Sequence, residues 1–169
     1  GEPRVAMLCE ALQCLKESGL DIIICTKGLV GTCRKILQDC GLLGYFVMIF
    51  GNLGDCYGCS QEYDVLSSVE NWKPASDIES LFGGPECSFT ASKGALISDL
   101  KAQRKLAFEE VLFVDDDSRE LQSAVRVCKT HLVQGDSPMA GLGKRDVDCI
   151  LRIVESSREM APSAKEPLV

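Results

Sequence analysis

Three consecutive acids, Asp115, Asp116 and Asp117, follow directly on an unbroken apolar run, Val111 to Val114. Such a run reads as a buried parallel strand, and ligands of open α/β sheets sit beyond the carboxyl ends of their strands. Three adjacent carboxylates repel one another and are costly to desolvate, so the pattern asks for a cation, most simply a hard divalent ion with oxygen ligands. The plain alternative is a strand end with a solvated acidic turn and a helix N-cap, because acids are favoured near helix N-termini. Two further polar signals stand at corresponding places, Thr26 after the run Ile22 to Cys25 and Lys93 at the start of a helical pattern. Alone, the first is a strand-end hydroxyl and the second a surface lysine; their order along the chain is what gives them weight.

The elements that must carry these residues alternate. Val5, Leu8, Leu12 and Leu15 recur at spacings of three and four, which predicts a helix over about 4–18, ended by Ser18-Gly19. A strand at Ile22 to Cys25 is closed by Thr26-Lys27-Gly28. A helix over about 30–40, with Ile36, Leu37 and Cys40 facing inward and Gly41 as its stop, leads to a strand at Phe46 to Phe50. Beyond Gly51 the periodicity is lost until about Thr90, far longer than an ordinary connection, which predicts a functional insertion or a partly disordered stretch, with a small cap or lid favoured. A helix at about Ser92 to Lys105, with Ser92 as N-cap, precedes the Val111 strand. Then come a helix near Ser118 to Val127, a strand at Thr130 to Val133, and a last helix over about Asp146 to Arg158. The βα alternation predicts an α/β protein with a parallel sheet.

Composition sets the outer limits. The chain has 169 residues, 46% hydrophobic and 25% charged, enough for one domain with a sizeable core. Its net charge of −7 disfavours a nucleic-acid partner, and the apolar windows fall far short of a membrane span. Among the ten cysteines, Cys9, Cys14, Cys25, Cys33, Cys40 and Cys128 lie in apolar runs or amphipathic helices, where free cysteine acts as a small hydrophobe. With no signal-peptide pattern at the start, a reduced, cytoplasmic protein is expected. The first residue is glycine, which suggests a fragment or a processed form. Cys56 and Cys59 make one C-x-x-C pair, but a structural zinc normally needs four ligands, no second pair exists, and Cys87 is isolated. His131, the single histidine, reads as a satisfied strand residue, and Arg34 and Lys35 as a solvated helix face.

Taken in order, Ile22 to Gly28, Ser92-Lys93-Gly94 and Val111 to Asp116 resemble motifs two, three and four of the haloacid-dehalogenase (HAD) superfamily of phosphohydrolases, over about residues 5–135. The resemblance implies a Rossmann-like three-layer core with a parallel sheet over 1–159 and a cap-like insertion at 51–90, while two prolines and the loss of periodicity predict a disordered tail at 160–169. It implies that Thr26, Lys27 and Gly28 bind phosphoryl oxygens, Thr26 through its hydroxyl and Gly28 through a turn that presents a backbone N–H. Lys93, catalytic with Thr26 in the family's scheme, would offset the charge of an aspartyl nucleophile and of the phosphoryl group. Asp115 and Asp116 would hold Mg2+. The implied reaction is in-line phosphoryl transfer to a carboxylate, then hydrolysis of the aspartyl-phosphate, on a phosphorylated small molecule or phosphoprotein.

One part of the pattern is missing. Motif one, an apolar strand ending Asp-x-Asp-x-Thr/Ser, supplies the nucleophile and is central in the family's strand order, between the motif-two and motif-four strands. Residues 1–4 cannot contain it. These residues alone are therefore expected to be inactive, and the strands flanking the missing one either pair directly or leave the sheet gapped. Each orphaned buried main-chain group would cost about 1–3 kcal/mol. The competing expectation is a non-catalytic HAD-like binding or scaffold domain. A phosphorylation receiver fits poorly, since Lys93 precedes the acids, and neither G-x-G-x-x-G nor a P-loop is present.

Overall fold

The computed structural model describes residues 2–52, 92–135 and 141–160, so the expected cap at 51–90 beyond Asn52, the Cys56/Cys59 pair, Cys87 and the tail after Met160 lie outside the described residues. The described residues are mixed α/β, with five α-helices and four short strands in two two-stranded parallel sheets. They fall into two compact units, Gly1–Ser92 and Lys93–Val169.

In the first unit α1 (Glu2–Glu17) carries Glu2 in its first turn and Lys16 in its last, as the helix dipole favours, although Glu17 closes it. It stops where glycine was expected to stop it. Gly19 takes φ +76°, its N–H donates to Lys16 O at 2.9 Å, and that of Leu20 donates to Leu15 O at 3.3 Å. This is the Schellman pattern, which only a residue tolerant of left-handed backbone closes cheaply. Helix α2 (Val30–Asp39) ends the same way, with Gly41 at φ +70°. Its inward face differs from expectation. Ile36 is 58% exposed and Cys40 is exposed, while Val30 is buried and Cys33 and Leu37 are half-buried, a stripe with the spacing of one helix face. Arg34 is half-buried rather than fully solvated; Lys35 is exposed and pairs with Asp39.

Strands β1 (Ile23–Leu29) and β2 (Met48–Asn52) pair in parallel, and all five residues of β2 are buried, as an apolar run covered on both faces requires. Thr26, Lys27 and Gly28 were expected to follow β1 but belong to it. The register passes from Cys25 opposite Phe50 to Leu29 opposite Asn52, so the segment forms an irregular bulge near the carboxyl end of the strand.

In the second unit α3 (Lys93–Arg104) leads to β3 (Leu112–Asp115), then α4 (Ser118–Ala124), β4 (Lys129–Leu132) and α5 (Lys144–Met160). Strands β3 and β4 are parallel, with Val114 opposite His131 and Asp115 opposite Leu132. Ile97 of α3, Phe113 of β3, Leu121 and Ala124 of α4 and Cys128 form the core, with Val111 and Val127 packed against it. Burial pushes the Cys128 thiol above its usual value, with Lys101 and a hydrogen bond to Phe113 acting the other way, in keeping with its role as a small hydrophobe. All seven described cysteines are free; Cys14 and Cys40 are exposed. No helix among the described residues is long and apolar enough to cross a membrane.

Candidate functional site

The three acids have three fates. Asp115, the last residue of β3, is buried, and its Oδ2 accepts from Lys93 Nζ at 2.6 Å; the two side chains are 4% and 13% exposed. Its Oδ1 accepts the Asp117 N–H at 2.8 Å. The counter-charge that Asp115 needs is thus Lys93, 22 residues earlier in the chain. Asp117 is the N-cap of α4: its carboxylate accepts the Arg119 N–H at 2.9 Å and pairs with the Arg119 guanidinium at 3.1 Å. Asp116 is exposed. Helix capping therefore accounts for one acid of the three, ion pairing for a second, and neither for Asp116.

Lys93 is aimed by the start of α3. Its backbone N–H donates to Glu120 Oε2 at 2.9 Å, and that of Gly94 donates to Ser123 Oγ at 3.1 Å. Two orphan donors of the α3 N-terminus are thereby satisfied by side chains of α4 rather than by a local cap. The close approach depends on glycine, because a Cβ at position 94 would lie 2.4 Å from the Ser123 carbonyl oxygen. Glu120 is 7% exposed, and its role was not foreseen. A signal existed: it shares the buried stripe of α4 with Leu121 and Ala124, and a carboxylate on such a stripe needs a donor.

Asp115 and Asp116 line an open cleft of about 300 Å³ with Val114, Val133, Gly141 and Leu142, beyond the carboxyl ends of β3 and β4. Its far wall is organised by Asp146, a buried carboxylate in the first turn of α5. Asp146 accepts N–H bonds from Gln134 at 3.1 Å and from Gly135 and Gly143, each at 3.0 Å. His131 Nε2 lies 3.2 Å from Asp146 Oδ1. An ionised carboxylate only accepts, so this contact places the proton on Nε2. Burial alone would raise the Asp146 pKa, but the three backbone donors and His131 outweigh it and hold it at about 2, below the ordinary 3.8. His131 is thus the satisfied strand residue that was expected.

In the first unit the Thr26–Gly28 bulge is tied down from within and from β2. The Gly28 N–H, expected to approach a phosphoryl oxygen, donates to Thr26 Oγ1 at 3.0 Å. Lys27 is exposed, and its carbonyl accepts from the Asn52 side-chain amide. Gly51 leaves the space this requires: a Cβ there would lie 2.8 Å from both Gly28 O and Thr26 Cγ2. Asn52, 8% exposed, was not foreseen either, since its partner is 25 residues away.

Lys93, Asp115 and Asp116 are therefore brought together in the second unit, and Thr26, Lys27 and Gly28 form one bulge in the first. Among the described residues no group of three His, Cys, Asp or Glu side chains is placed to hold a metal ion. Two carboxylates at one cleft nevertheless suit Mg2+, which is commonly held by one or two carboxylates and keeps several waters. No protein-family model, characterised protein or solved structure matches this chain.

Proposed function

We propose that this chain carries a HAD-type, Mg2+-dependent phosphohydrolase core of Rossmann-like, three-layer design. The observation that carries the reading is the buried Lys93–Asp115 pair at the carboxyl end of β3, beside the exposed Asp116. A buried acid paired with a lysine, next to a second acid open to solvent, suits a site that meets both a cation and an anionic substrate. In this reading Asp115 and Asp116 hold Mg2+, which when bound would neutralise charge on a phosphoryl group. Lys93 pairs with Asp115 and carries positive charge towards phosphoryl oxygens, and within the first unit Thr26 and Lys27 present hydroxyl and ammonium groups of the kind such oxygens accept from.

The test is a MgCl2 titration followed through backbone amide signals. Saturable shifts confined to residues 112–120 and 141–143 at millimolar Mg2+, abolished in Asp116→Asn, are expected; an unresponsive wild type overturns the metal assignment. Because no Asp-x-Asp-x-Thr/Ser nucleophile motif occurs in the sequence, the 169 residues alone are expected to form no aspartyl-phosphate and to turn over aryl phosphate negligibly. Turnover that survives purification and disappears in Asp115→Asn would overturn that assignment of roles.

A further inference from the structure

Asp146 does more than start a helix. As the third residue of α5 it accepts the N–H of Gly143, the residue before the helix, which is half of a capping box. A cap needs only that bond. The other contacts reach out of the helix, to the backbone N–H groups of Gln134 and Gly135 and to the His131 ring, all on the chain that forms and leaves β4. One carboxylate, 4% exposed, therefore fixes both the path out of β4 and the path into α5.

Those two paths carry the far wall of the acidic cleft. Val133 lies between the β4 end and Gln134, and its N–H donates to Asp115 O at 2.9 Å. Gly141 and Leu142 directly precede Gly143, and Gly141 takes φ +57°, a backbone conformation that leaves little freedom for another residue type. The cleft's acidic side is thus built on β3, and its opposite side hangs from Asp146.

We propose that Asp146 is a positioning residue for the Asp115–Asp116 cleft, holding Val133, Gly141 and Leu142 in place through Gln134, Gly135 and Gly143. It contributes no ligand. It sets the distance between the two carboxylates and the opposing backbone, and so the room left for a hydrated cation and the group it carries. The consequence for Mg2+ rests on the phosphohydrolase reading; the consequence for the cleft's geometry does not.

The experiment compares wild type, Asp146→Asn and Asp146→Glu by amide hydrogen exchange, backbone amide shifts and MgCl2 titration. In Asp146→Asn, exchange at Gln134, Gly135 and Gly143 is expected to accelerate at least ~10-fold, one lost hydrogen bond being worth about that factor. Amide signals of Asp116, Val133, Gly141 and Leu142 are expected to move, while those of Ala124 and Cys128 in the core stay put. The Mg2+ dissociation constant is expected to rise ~10-fold or more, as for loss of groups that orient metal ligands, with Asp146→Glu recovering part of both effects. Faster exchange at the three donors with unmoved cleft signals would overturn the proposal, reducing Asp146 to a helix cap. If Asp146→Asn does not fold, His131→Gln, which removes a single contact, must move the same cleft signals by a smaller amount, and failure to do so is equally decisive against it. A wild type that ignores Mg2+ would refute the phosphohydrolase reading and leave the exchange and shift criteria to judge Asp146.

Discussion

At the scale of single residues, two buried carboxylates are stabilised in different ways. Asp115 relies on one cation and one backbone donor, so removing the cation leaves a nearly uncompensated charge. Lys93→Met is expected to cost about 3–5 kcal/mol in chemical denaturation, whereas Lys93→Met combined with Asp115→Asn should recover much of that loss. Simple additivity of the two single changes would show that the pair is not coupled. Asp146 relies on backbone donors instead, and these hold its pKa at about 2 against 3.8 in an unconstrained chain. Because the folded-state pKa is depressed, its stabilisation is complete above about pH 4 and is lost as pH falls through the folded value. Asp146→Asn is expected to cost about 2–3 kcal/mol above pH 4, and the gap between variant and wild type should close between pH 4 and 2. A gap that persists unchanged at pH 2 would show that the carboxylate charge is not its source.

Among the elements, glycine and side-chain hydrogen-bond partners from a neighbouring segment hold two segments where they must come close. The α3 N-terminus sits against α4 only because position 94 has no Cβ and because Glu120 and Ser123 receive the Lys93 and Gly94 N–H groups. Gly94→Ala, although favourable for an isolated helix, is therefore expected to destabilise the protein by about 1–3 kcal/mol through forced separation of the two helices. Thermal melting measures this directly, and a raised melting temperature would contradict the crowding. The bulge in β1 follows the same logic, with Gly51 making room and Asn52 holding the Lys27 carbonyl. Helix existence and strand existence were legible from periodicity, and the ends of α1 and α2 from Gly19 and Gly41. The bulge was not, because an apolar run shows where a strand lies without showing how many residues its partner matches.

On the scale of the whole molecule, the acidic balance bears on partners rather than on fold. With a net charge of −7, the protein is expected to show no mobility shift with duplex DNA at physiological salt, and tight, salt-sensitive binding would reveal a basic face that composition conceals. The described elements make two small parallel sheets, each inside its own compact unit, where βα alternation alone suggested one.

Local chemistry was enough to place the helices and strands, to mark glycine stops, and to point to Asp115 and Asp116, because periodicity, backbone freedom and charge act over a few neighbouring positions, whereas Lys93 stood out only through the order of the motifs. Partnership could not be read that way. That Lys93 neutralises Asp115, that Glu120 receives the Lys93 N–H, and that Asp146 gathers Gln134, Gly135, Gly143 and His131 all depend on segments separated by up to 27 residues. Only packing decides which donor meets which buried acceptor, and with it which of three adjacent aspartates is a cap, which an ion pair, and which remains open to the cleft.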